Sequence, residues 1–164
     1  MISNSTNTQA IRRGLSMSGL AAAAMLMVSA TAFAGQCPAD KMGTDLTKPV
    51  TTAAKDVTDK VVASIDLAKE KVNLKDHLFR LRRLEIQPGG IVPWHSHGER
   101  PALIYIVSGE VTEYASNCAV PIVHKAGDVA PEISVTAHWW KNTGTQTVVL
   151  FSADILHDQS DKNM

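Results

Sequence analysis

Histidine carries the chemistry in this sequence. There are six, and two of them, His95 and His97, stand two apart in Trp94-His-Ser-His97. On a β-strand, residues i and i+2 project from the same face. Both imidazoles would therefore be aimed one way, and two neutral imidazoles converging on one point make half of a metal site. An H-x-H recurs by chance, but its setting adds weight: Pro88-Gly89-Gly90 closes the preceding run, Gly98 follows, and the next apolar run ends at Gly109. His77, His124 and His157 have no ligand-like spacing and read as surface or loop residues. A second i, i+2 pair, Arg80 and Arg82, also shares one strand face. It could clasp a substrate carboxylate as a bidentate fork, or it could be a solvated strand face.

The elements that must position these side chains are short. From residue 74 onward, apolar runs alternate with turn residues. Residues 79–87 stop at Pro88-Gly89-Gly90, and residues 102–107 stop at Ser108-Gly109-Glu110. Then come 111–115, 120–124, a turn at Ala126-Gly127-Asp128, Trp139-Trp140 leading to Asn142-Thr143-Gly144, and 147–153. Many Val- and Ile-rich runs at this spacing predict an all-β sandwich or barrel. Residues 57–71 admit a strand or a helical turn, and the Val61-Val62 run is read as a strand. Residues 35–60, with Pro38, Gly43 and Pro49 among Thr, Asp and Lys, read as an extended N-terminal leader with little core of its own. No internal repeat and no second domain is apparent.

Composition bounds the partners. The chain has 164 residues, 45% of them hydrophobic and 20% charged, with 16 basic and 16 acidic residues. That is too apolar for disorder and lacks the basic excess that holds a phosphate backbone, so no nucleic-acid partner is expected. The balance is uneven along the chain. Residues 1–34 hold no acid and two bases, Arg12 and Arg13, followed by nine apolar residues from Leu20 to Val28 and then Ala32-Phe33-Ala34. This reads as a secretory signal peptide cleaved after Ala34. Its apolar run is short of the ~20 residues that span a bilayer, so no membrane partner is expected after cleavage. The arginine pair hints at twin-arginine export. The processed chain, residues 35–164, would carry 14 basic against 16 acidic residues, a net charge of −2, in a periplasmic or secreted setting. In an oxidising compartment Cys37 and Cys118 are a candidate disulfide; two free thiols, or a bond to another chain, are the alternatives.

At this point the sequence resembles the cupin family. That family's first motif reads G-x5-H-x-H-x(3,4)-E-x6-G, and Gly89, His95, His97 and Gly109 fall at its intervals. The second reads G-x5-P-x-G-x2-H-x3-N, and Gly127, His138 and Asn142 fit it. The resemblance covers residues 74–154. It implies a double-stranded β-helix, a jelly-roll barrel with its site inside, so the chain divides into a signal peptide (1–34), an N-terminal extension with a possible strand (35–73) and a cupin domain (74–164).

The departures shape the functional expectation. The motif's glutamate, usually a metal ligand, falls at Ala102, and the second motif's proline and glycine fall at Ile133 and Val135. Three readings stay open. His95, His97 and His138 could form an all-histidine site for one divalent ion (Fe, Mn, Ni or Zn), as in the thiol dioxygenase branch of the family. Glu99 or Glu132 could replace the missing acid. Or the metal could be lost and the pocket merely bind. Strand parity turns Ile104, Ile106 and Trp140 inward with Ala102 and His138, giving an apolar pocket for a small organic ligand. It turns Trp94 and Trp139 outward, and Asn142 is expected to serve a turn. The resemblance suggests a dioxygenase-like oxidoreductase; a non-catalytic ligand- or metal-binding module is the competing class. Residues 103–107, aliphatic on both faces, raise a possible homodimer.

Overall fold

A computed structural model describes residue 1 and residues 35–50 and 52–157. The expected signal peptide and its cleavage point lie outside the described residues. Eight strands are described: β1 (Lys55–Asp66), β2 (Leu78–Ser96), β3 (Ala102–Ser108), β4 (Glu110–Ala115), β5 (Ile122–Lys125), β6 (Val129–Glu132), β7 (Ala137–Lys141) and β8 (Val148–Leu156). Among the described residues the one helical piece is a 3₁₀ turn, Ala39–Lys41. The strands pair antiparallel in the order β5-β4-β7-β2-β8-β3-β6, with β1 added along β2. The fold is all-β, a double-stranded β-helix.

The 19-residue strand β2 organises it. Its first half pairs with β8, Leu78↔Leu156 to Ile86↔Val148, and with β1. Its second half pairs with β7, Ile91↔Lys141 to Ser96↔Ala137. One strand thus runs through two layers, β1-β2-β8-β3-β6 and β2-β7-β4-β5. Pro88-Gly89-Gly90 does not end the strand, as the sequence suggested; it bends it. Gly89 has φ +78°, a left-handed conformation that glycine adopts without strain. The turn chemistry continues the ladder here: Gly89 N–H donates to Asn142 O (2.9 Å) and Asn142 N–H to Gly90 O (3.0 Å). The Asn142 side chain serves its turn as expected, donating to Ile86 O and Gln146 O and accepting from Gly144 N–H.

The core lies between the layers. Leu84, Ile86, Ile104, Ile106, Val148 and Leu150 from one face meet Val92, Val111 and Trp140 from the other, all at most 7% exposed. Strand parity reads out plainly on β3: Ala102, Ile104 and Ile106 are buried, while Leu103, Tyr105 and Val107 are exposed. The outward face stays apolar across neighbouring strands, because Tyr105 stands beside Phe151 and Val129, and Leu103 beside Ala153 and Pro131. The N-terminal segment is fastened to the barrel by a Cys37–Cys118 disulfide and by the Met42↔Cys118 bridge.

Candidate metal centre

Strand pairing assembles the three histidines. His95 on β2 and His138 on β7 are direct cross-strand partners, whose side chains stand on one face. A register shift between Val92 and His95 turns the histidine inward after the inward Val92. His97, one residue past β2, is held by its N–H donating to Thr136 O (2.9 Å). The three Nε2 atoms then form a triangle with every edge 3.1 Å, and the side chains are 8%, 2% and 1% exposed.

The other edge of each ring decides what that triangle is. His95 Nδ1 lies 2.9 Å from Pro93 O, His97 Nδ1 2.8 Å from Arg100 O, and His138 Nδ1 2.6 Å from Glu113 Oε1. All three partners accept, so each Nδ1 carries the ring proton and donates it, and each Nε2 presents a lone pair. Trp140 Nε1 also approaches His138 Nδ1 at 2.9 Å, but the shorter, charge-assisted bond to Glu113 sets the tautomer. A proton on one Nε2 could serve only one of its two neighbours. A metal cation could serve all three: a triangle of 3.1 Å edges puts each nitrogen about 1.8 Å from the centre, a little less than the ~2.0–2.1 Å of an imidazole–metal bond, so the three nitrogens are close enough together to share one ion. The donor set therefore fits a divalent ion of borderline softness.

Electrostatics agree. Burial, with His138 alongside, lowers His95 to about 2, and burial with His138 lowers His97 to about 4, so both are neutral near pH 7. Burial pushes Glu113 upward, but the hydrogen bonds of His124 and His138 outweigh it and hold the carboxyl down at about 2. Glu113 Oε2 also accepts from His124 Nε2 at 2.7 Å. The negative charge missing at Ala102 is thus supplied one layer back, through the ring of His138.

A cavity of about 30 Å³ lies against the triad, room for one or two waters. Ile104 and Trp140 line it, with Leu84, Val92, Leu150, Ser152 and Arg82. Ile106 belongs to the core below and does not line the cavity. The arginine pair is neither a free carboxylate fork nor a solvated face. Arg80 already forks onto Asp154 through Nε (2.9 Å) and Nη2 (2.7 Å), and Arg82 bonds Asp59 (2.5 Å) and Ser152 (3.3 Å). Only Arg82 reaches the cavity wall. Neither substitute carboxylate joins the triangle: Glu99 is exposed, and Glu132, a cross-strand neighbour of Ala102, has its nearest oxygen 3.6 Å from His138 Nδ1, the edge away from the triad. Trp94 and Trp139 are half-buried, Trp139 stacked on Tyr114 at 4.2 Å.

The sequence reading missed Glu113 and misplaced His124. His124 is not on the surface; it is 0% exposed and stacked 4.7 Å from Trp140. Parity carried the signal for both. Glu113 alternates with Val111 and Ala115, and His124 with Ile122, on inward positions of β4 and β5. His77 and His157 stack on each other, away from the triad.

Residues 82–154 match the family model described as a cupin domain, Cupin_2. Over those residues the chain is similar to the cupin superfamily. It is similar in structure to a cupin-2 domain of Rhodospirillum rubrum (15% identity, 68% of each chain, TM-score 0.51). It is also similar to a cupin 2 conserved barrel domain protein of Rhodopseudomonas palustris (16% identity, 68% of this chain and 70% of that one, TM-score 0.51). These likenesses show the fold. No curated protein matches the chain.

Proposed function

We propose that this chain is an exported protein that holds one divalent ion (Fe, Mn, Ni or Zn) on His95, His97 and His138 and acts on a small organic molecule in dioxygenase-like oxidation. The observation that carries the metal reading is the triangle of three Nε2 lone pairs with every Nδ1 proton already committed. A bound ion would supply Lewis-acid or redox chemistry. The chain's own residues do the rest. Glu113 keeps the proton on His138 Nδ1. Leu84, Val92, Ile104, Leu150 and Trp140 make the cavity wall largely apolar, and Arg82 brings positive charge to it.

A second reading, a non-catalytic binding module, is favoured by one observation: beyond the three histidines, Arg82 and Ser152, the cavity lining offers no acid or base. One experiment separates the two. The full chain, recovered after export from a bacterial host, is analysed for bound metals beside His138→Ala and then assayed for oxygen uptake on a panel of small substrates. Metal that disappears in the variant, with oxygen uptake, supports the enzyme. Metal without uptake supports the module. Metal no higher than in the variant sinks both metal readings.

Periplasmic or secreted placement is supported by the leader pattern and by the Cys37–Cys118 disulfide. Mass spectrometry of the exported chain tests it by the mass of its N-terminal peptide. A homodimer through the outer face is supported by Leu103 (55% exposed), Tyr105 (47%) and Val107 (41%) standing unpartnered. Sedimentation of wild type and Leu103→Lys tests that reading.

A further inference from the structure

A second cavity, of about 270 Å³, lies against the carboxylates that face the Nδ1 edge of His138. It is roughly nine water volumes, far larger than the space at the triad. Among the described residues, its lining includes Glu113 and Glu132 and no Lys, Arg or His. Glu132 is 2% exposed, and its Oε1 has no hydrogen-bond partner among the described residues. Both oxygens of Glu113 are engaged, by His124 and His138, so Glu132 is the free acceptor aimed into this space. A buried polar atom without a partner is costly.

We propose that this cavity is a binding site for a primary ammonium group, received by Glu132 and the negative field of Glu113. An anion is disfavoured, because two acidic residues and no base face it. A hard divalent ion is a poor fit, because it wants six or more oxygens, and much of the wall is Met42, Ala115, Ile122 and Ala130. An ammonium with a short apolar body matches both the charge and the walls. The site needs no metal at the triad, so it stands or falls separately from the metal reading.

The ammonium has two possible sources. One is a free small amine, entering past the exposed Met42 and Ile133 at the rim. The other is the chain itself. Gly35 lines the cavity and is buried. A side chain there would come within 2.9 Å of His124 Nδ1, itself a buried atom without a partner. The Cys37–Cys118 disulfide fixes this segment two residues away. Cleavage after Ala34 would make the Gly35 nitrogen an α-ammonium at the cavity wall.

The test uses the full chain carrying Ala34→Leu, which keeps the leader attached, titrated calorimetrically with n-propylammonium chloride. Saturable one-site binding is expected. Glu132→Gln should weaken it about tenfold or more, the size of one charge-assisted hydrogen bond. Ala130→Leu, which fills the cavity from another wall, should weaken it too, while His95→Ala should leave it unchanged. The same titration of the processed chain assigns the source: binding lost there means the chain's own α-ammonium occupies the site, and binding kept at equal strength means a free amine does. The proposal is overturned by no saturable binding to the Ala34→Leu chain, by equal binding with Glu132→Gln and Ala130→Leu, or by stoichiometric displacement of the probe with calcium chloride.

Discussion

Two buried polar clusters share strand β2, and they solve the cost of burial in opposite ways. At one end, Arg80, Arg82 and Arg100 gather around Asp154, with Asp59 and Ser152 at the margin; Asp154 Oδ2 lies 2.7, 3.2 and 4.0 Å from guanidinium nitrogens of the three arginines. Each guanidinium faces the Asp154 carboxylate, so charge meets counter-charge inside the protein, even though Asp59 Oδ1 and Arg82 Nε have no hydrogen-bond partner among the described residues. At the other end, three imidazoles meet lone pair to lone pair, with every proton turned outward. A cation would complete that cluster. Arg80/Arg82 on β2 and His95/His97 at its C-terminal end have the same i, i+2 spacing. The partner behind each pair, not its spacing, separates a structural brace from a ligand site.

The comparison can be broken most forcefully at Asp154. Asp154→Ala leaves three guanidinium groups, two of them almost fully buried, with much of their counter-charge gone; it should cost about 3–5 kcal/mol of stability, read by denaturant unfolding. His138→Ala should behave in reverse. Unfolding of the metal-free protein should change by less than for Asp154→Ala, while metal affinity, measured by competition with a chelator, falls by more than the ~10–100-fold typical of an outer-shell partner. Glu113→Gln sharpens the contrast, since it keeps the shape of the partner but removes its charge. Metal affinity should drop about 10–100-fold, and Glu113→Asp should restore part of it if charge is what matters. The smallest effect is expected at Ser152, whose hydroxyl accepts one 3.3 Å bond from Arg82. Ser152→Ala should cost about 0.5–1.5 kcal/mol and leave metal affinity unchanged.

Much of this was legible in the sequence, for definite physical reasons. Turn residues and Val/Ile-rich runs announce strands locally, and the bend at Gly89 needs a conformation that glycine adopts readily. The inward parity of Ala102, Ile104 and Ile106 follows from a two-residue period. What stayed hidden depends on contacts between distant segments. Nothing near Arg80 says that Asp154, 74 positions away, will fill its fork. Nothing near Glu132 says that its carboxylate will settle on the Nδ1 edge of His138. Glu113 and His124 sat in inward register, but burial of a charged side chain is rare unless it is paired, and the pairing joins two strands to a third. The bulge before His95 also matters: strict alternation from Val92 would have sent that ring to the opposite face.

Strand β2 has a mechanical consequence. Because its two halves are stitched into different layers, the layers cannot slide past one another without rupturing ladder hydrogen bonds on both flanks of the bend. The 30 Å³ chamber at the triad is therefore braced against sheet motion. The connecting segments 97–101 and 133–136 are tied to each other in the same way, through the bond from His97 N–H to Thr136 O.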